Sequence, residues 1–173
     1  MIHSIPMRVL SAACLAIFSV SMAGAQGLAP IKASNQVGAD LDLMDNHDPE
    51  VERQSFDVLD GFEVNLFAAE PMLENPVHMV WGPRGRLWVA CSWSYPQLRP
   101  GERPNDQIII LEDTDGDGTA DKSTVFADGL YIPTGIELAN GGVYVGQTPD
   151  ILFLKDTDGD DRADIRQVAL TGF

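Results

Sequence analysis

Part of this chain is written twice, and that restricts its fold more than any other feature. Ile110-Leu111-Glu112-Asp113-Thr114-Asp115-Gly116-Asp117 returns as Phe153-Leu154-Lys155-Asp156-Thr157-Asp158-Gly159-Asp160, an offset of 43 residues. The match continues through Ala120-Asp121 on Ala163-Asp164, Val125 on Val168 and Gly129-Leu130 on Gly172-Phe173. A period in the forties is the length of one four-stranded propeller blade, a unit that cannot bury its apolar face alone and must stack on its neighbours.

The local patterning agrees with strands. Short runs of β-branched, aromatic and aliphatic residues are punctuated by Gly, Pro, Asn and Asp, without a sustained helical period. Val77 to Trp81, a turn at Gly82-Pro83-Arg84-Gly85 and Leu87 to Ala90 form one expected hairpin; Gln107 to Leu111, an Asp-rich loop and Ser123 to Ala127 form the next. The second copy runs Thr134 to Leu138, Val143 to Val145, Ile151 to Leu154 and Arg166 to Leu170. Phe62 to Phe67 reads as a strand with no preceding partner, as expected of a first strand that closes a ring by completing the last blade. The expected fold class is therefore all-β, a β-propeller fragment of about two four-stranded blades plus a closing strand. A propeller needs about four to eight blades, so this chain is expected to be truncated. The alternative is a complete small two-sheet domain.

The N-terminus carries a different signal. Met1 to Ala25 has a lone Arg8, an apolar run from Val9 to Val20 and small residues at Ala23-Gly24-Ala25, the pattern of a secretory signal peptide. The run is too short to span a bilayer, and no later stretch approaches the required length. Export to the periplasm or the medium is expected, with the mature chain starting at Gln26. Residues 26–55 are polar and acidic and read as a leader or linker with little fixed structure, leaving 56–173 as the N-terminal part of the propeller.

The formal net charge is −15, and loss of the leader with its Arg8 makes the remainder one unit more negative. Such a field repels nucleic acid and anionic lipid. Much of the charge lies in two aspartate clusters, which points to a cation. In the first, Asp113, Asp115, Asp117 and Asp121 occupy positions one, three, five and nine, with Gly118 at six to allow the sharp turn. Alternate side chains converge on one point, which suits calcium, a hard cation that takes six to eight oxygens. The three leading aspartates would ligate through carboxylates, Thr119 through its main-chain carbonyl, and Asp121 directly or through water. This is no EF-hand, because position twelve is Thr124 where a bidentate glutamate is needed. In the second loop Asp156, Asp158, Asp160 and Asp164 repeat the spacing, but Asp161 replaces the glycine and Arg162 takes position seven, so a weaker site is expected.

Other chemistry is sparse. Beyond the leader there is one cysteine, Cys91, and two histidines, His47 and His78, which cannot form a disulfide, a Cys-x-x-Cys-His haem attachment or a zinc cluster. His78 lies within a strand pattern and reads as structural, and no catalytic residue can be assigned. The insertion from Ser92 to Arg103 holds Trp93, Tyr95, Arg99 and Arg103, residue types that stack on sugars or grip anions, or that simply pack as a loop.

Gly61-Phe62-Glu63-Val64, Ala68-Ala69-Glu70-Pro71, Gly85-Arg86-Leu87-Trp88-Val89, Leu111 to Gly118, and Gly129-Leu130 leading to Pro133-Thr134-Gly135-Ile136 occur in that order. Together they resemble the N-terminal propeller of the planctomycete-type (PVC-type) membrane-bound dehydrogenases, which are similar to glucose/sorbosone dehydrogenases. The resemblance covers about Phe56 to Phe173. It implies an exported quinoprotein-like dehydrogenase that oxidises a sugar or alcohol with pyrroloquinoline quinone and calcium, and a downstream cytochrome c-like domain. It places no catalytic residue here: the sugar dehydrogenases use a histidine base, and the comparable Pro133-Thr134-Gly135-Ile136 has none. The competing expectation is a non-catalytic, calcium-braced propeller that binds carbohydrate or a protein partner.

Overall fold

Ile108 to Leu111 is an unbroken run of large aliphatic residues, and a strand of that kind needs apolar cover on both faces. The computed structural model, which describes residues 17–22, 48–98 and 100–172, supplies it from both sides. The elements are β1 (Ile17–Met22), α1 (Pro49–Ser55), β2 (Phe62–Ala68), β3 (Pro76–Trp81), β4 (Leu87–Cys91), β5 (Asp106–Glu112), β6 (Lys122–Leu130), β7 (Gly135–Ala139), β8 (Gly142–Gln147), β9 (Asp150–Lys155) and β10 (Ile165–Thr171). They form two four-stranded antiparallel meanders, β3-β4-β5-β6 and β7-β8-β9-β10, and a two-stranded sheet, β1-β2. The expected strands of both repeats are present, their ends displaced by a few residues.

The first meander lies between the other two sheets. Trp88, Ala90, Ile108, Ile110 and Phe126 on one face pack against Ile136, Val143, Val145, Leu152 and Leu154 of the second meander. The alternate residues Leu87, Val89, Cys91, Ile109 and Leu111 pack against Phe67, Ala68 and Leu73 around β2. The period-two geometry of a strand thus divides one continuous apolar sequence between two cores.

Two expectations change near the N-terminus. β2 does have a preceding partner: Ile17–Met22 pairs with it antiparallel, Val20 opposite Val64 and Met22 opposite Phe62. An apolar, β-prone segment and an open strand edge complete each other's main-chain hydrogen bonds. That segment falls inside Met1–Ala25, read as a signal peptide, the rest of which lies outside the described residues. Among the described residues no helix is long and apolar enough to cross a membrane.

The acidic leader also has structure at its end, where helix α1 forms. Asp48 caps it by accepting from the Glu50 amide at 2.9 Å, and Pro49 takes the first turn, where its missing N–H costs nothing. Arg53 closes on Glu50 at 2.5 Å and donates to the Val64 carbonyl at 3.1 Å, tying the helix to β2. The Arg53 guanidinium holds the Glu50 carboxyl down at about 2. None of the helix's residues is buried, so no apolar periodicity marks it in the sequence.

The two-faced burial makes a direct prediction for stability. Ile110, fully buried between the meanders, should cost about 2–5 kcal/mol as Ile110→Ala. Val168, 55% exposed on β10, should cost less than about 0.5 kcal/mol as Val168→Ala. Urea unfolding of the two variants measures both.

Candidate metal centre

Each Asp loop is organised by its own first aspartate. Asp113 Oδ1 accepts from the Gly116 amide at 2.7 Å and the Asp117 amide at 3.2 Å, while Oδ2 accepts from the Gly118 amide at 2.9 Å. In the second loop Asp156 receives the amides of Gly159 at 2.7 Å, Asp158 at 3.1 Å and Asp161 at 2.9 Å. The Gly118 amide, with those of Gly116 and Asp117, holds the Asp113 carboxyl below its ordinary range, and the Gly159 amide leads the same effect on Asp156. Both side chains are therefore ionised at neutral pH, and both loops are curled before any ligand arrives.

This curl gathers carboxylates. Oxygens of Asp113, Asp115 and Asp117 lie within 4.8 Å of one another, and so do those of Asp156, Asp158 and Asp164. The other expected ligands take different positions. Asp121 accepts from Thr114 Oγ1 at 2.6 Å, and Asp164 likewise accepts from the Thr157 hydroxyl while staying within its cluster. Asp117 and Asp160 each accept from the amide two residues on, Thr119 and Arg162, at 2.8 Å. The Thr119 hydroxyl donates to the Leu66 carbonyl at 3.4 Å.

The loops also join neighbouring sheets, a role that spacing alone did not reveal. The Ala120 amide donates to the Phe67 carbonyl on β2, and the Ala163 amide to the Phe126 carbonyl on β6, both at 2.7 Å. The two alanines stand 43 residues apart, at the repeat offset. β2 therefore stands to the first meander as β6 stands to the second.

The departures in the second loop have a structural explanation. Asp161 keeps the left-handed turn of Gly118, at φ 64° against 92°, although an aspartate is strained there. Its carboxylate accepts from Arg86 Nη1 at 2.6 Å, across the gap between the meanders. Arg86 is almost fully buried and lies 5.7 Å from the centre of the Trp88 ring. The ion pair borders a cavity of about 490 Å³ lined by Trp81, Arg84, Arg86, Glu137, Asp156 and Asp161. The residue expected only to weaken a metal site is thus an inter-sheet link.

Cys91 and His78 are both placed structurally. Burial pushes the Cys91 thiol up to about 11, so it is protonated at neutral pH and a poor nucleophile. His78 Nδ1 accepts from the Ile136 amide at 3.4 Å, joining the facing edges of the two meanders.

Residues 48–173 match the model of one protein family, described as a domain of unknown function (DUF7133). No curated protein and no solved structure matches the chain.

Two outcomes are expected from this geometry. A double-mutant cycle on Arg86→Met and Asp161→Gly, read by urea unfolding, should give a coupling of about 1–2 kcal/mol, with the double variant losing less stability than the two single losses summed. Cys91 should react with a thiol reagent at pH 8 only as fast as the fold opens, and stability should fall as pH rises from about 9 towards 11, where the unfolded thiol ionises first.

Proposed function

The chain belongs to the DUF7133 family, and we propose that its role there is that of a calcium-braced module of an exported β-propeller. One observation carries the reading: each of the two repeated loops gathers three carboxylates, and the alanine just before each loop's last aspartate is bonded to the strand of the neighbouring sheet. A cation held by Asp113, Asp115 and Asp117, or by Asp156, Asp158 and Asp164, would stiffen the loop that joins one sheet to the next. The donors are all hard oxygens, which favours calcium over a softer metal.

The propeller assignment is supported by the equivalence of β2 and β6. Each is the strand onto which the following sheet's Asp loop is bonded, so the sheets stack by one repeated operation rather than as a single face-to-face pair. In a closed ring, β2 would serve as the outer strand of the last blade.

The sugar- or alcohol-oxidising activity implied by the resemblance requires a quinone cradle as well. Pyrroloquinoline quinone is a tricarboxylate, and the inter-sheet cavity would meet it with Glu137, Asp156 and Asp161, leaving Arg84 and Arg86 as the lining cations. Arg86 is already paired with Asp161. These residues do not fit that cofactor. Bracing is therefore the role of this part of the molecule, and the quinoprotein-like dehydrogenase is the larger protein in which it would sit.

Thermal unfolding in calcium and in chelator tests the brace. Calcium at about 100 times its dissociation constant should add about 2.7 kcal/mol and raise the midpoint by several degrees. Asp113→Asn should remove most of that calcium-dependent difference, and Asp156→Asn a smaller part of it. Equal midpoints in calcium and chelator would sink the proposal.

A further inference from the structure

The two meanders share one topology, but not one connection. β8 and β9 are joined through Thr148 and Pro149 alone, whereas β4 and β5 are joined by residues 92–105. The second meander shows that the pairing does not require the extra chain. Long insertions of this kind on a rigid scaffold are where binding groups are carried.

The insertion is anchored at its start. Asp106, fully buried at the head of β5, accepts from Ser92 Oγ at 2.8 Å, from the Ser94 amide at 2.9 Å and from the Ile132 amide at 2.7 Å. The Ser92 amide donates to the Asn75 carbonyl at 3.0 Å. One carboxylate thus holds both the insertion and the connector between the meanders. Ser92 and Ser94 are buried, and the turn that begins at Trp93 leaves its ring facing outward between them.

Trp93 is exposed without being loose. Its indole Nε1 donates to Glu74 Oε2 at 2.6 Å, yet the side chain remains 44% exposed. It borders a groove of about 430 Å³ shared with Leu98, Arg103, Asn105 and Gln107, within the range of about 300–1,000 Å³ typical of small-ligand clefts. Tyr95 and Tyr131, on loops at the same end of the sheets, are exposed as well. The Asp loops lie at the opposite end, so a ligand held in this groove is independent of any cation held in those loops.

We propose that this groove is a carbohydrate subsite, with Trp93 as its stacking platform. A pyranose has one apolar C–H face and a rim of hydroxyls that both donate and accept. An oriented indole meets the first requirement, and the amides of Asn105 and Gln107 with the Arg103 guanidinium meet the second. A ring fixed in advance by Glu74 loses little side-chain freedom on binding. Glu102 in the lining and Glu74 behind the ring, set against Arg103 alone, favour a neutral glycan over an acidic one.

Affinity electrophoresis of the chain in gels containing soluble β-glucan, xylan, mannan or galactan, with alginate as the polyanion, tests the proposal. At least one neutral polysaccharide should retard the chain; Trp93→Ala should weaken binding about tenfold, and Trp93→Phe, which keeps an aromatic face but not the bond to Glu74, should weaken it less. Trp93→Ala should melt within a few degrees of the parent, separating loss of the platform from loss of the fold. Retardation by alginate alone, by none of the gels, or undiminished in Trp93→Ala would overturn it.

Discussion

Everything else in this molecule depends on a sheet that must be covered twice. β5 presents Ile108 and Ile110 to one side and Ile109 and Leu111 to the other, and all four are buried. A sheet of this composition cannot stand at a water interface on either face, so the first meander must lie inside a stack. The second meander covers one face and β2 with its connector covers the other. The next level of organisation is the loops that keep those layers in register, because apolar contact alone is non-directional and would tolerate sliding.

The Asp loops provide that direction. A hydrogen bond from Ala120 to Phe67 and its counterpart from Ala163 to Phe126 fix where each sheet meets the strand beside it. Both alanines sit immediately before the last aspartate of their loop, and the backbone there is shaped by the first aspartate's bonds to three amides. Carboxylates that converge in this way repel one another, and in the absence of a cation those amide hydrogen bonds offset the repulsion. The electrostatic arrangement and the inter-sheet bond are therefore one construction, and a cation that relieved the repulsion would act on sheet registration without touching either core.

The strands were legible in the sequence because their signals are local: turn residues, short β-branched runs and a repeat that matches itself. The convergence of Asp113, Asp115 and Asp117 was legible for the same reason, since alternate residues around a tight turn must approach one another. Helix α1 was not, because it is held by Asp48, Arg53 and one bond to Val64 and buries nothing that would leave a period. The pairing of Ile17–Met22 with β2 was not either, because an apolar run reads as a leader whether or not it also fits a strand edge. The sequence marks Asp161 as a departure from the glycine of the first loop, but not its role between the sheets. Its partner Arg86 lies 75 residues earlier, and nothing local to the loop announces a long-range ion pair.

That ion pair also shows why the repeats are not interchangeable. Register places Arg86, just before β4, at the position that Gly142 holds at the start of β8. A Cβ at Gly142 would come within 2.4 Å of the Leu154 carbonyl oxygen and 2.8 Å of the Phe153 ring, so no side chain fits there without movement of the backbone. The second meander therefore cannot send an arginine forward as the first one does. Correspondingly, Gly118 in the first loop offers no carboxylate to receive one. Arginine on one sheet and aspartate on the next occur together at a single interface, and this pairing distinguishes that interface from any other the repeat could form. A stack built from near-identical units with apolar faces risks assembling out of order, and one oriented charge pair counters that risk because a mismatched neighbour would leave the buried Arg86 with only the 4.0 Å contact to Glu112 of its own sheet.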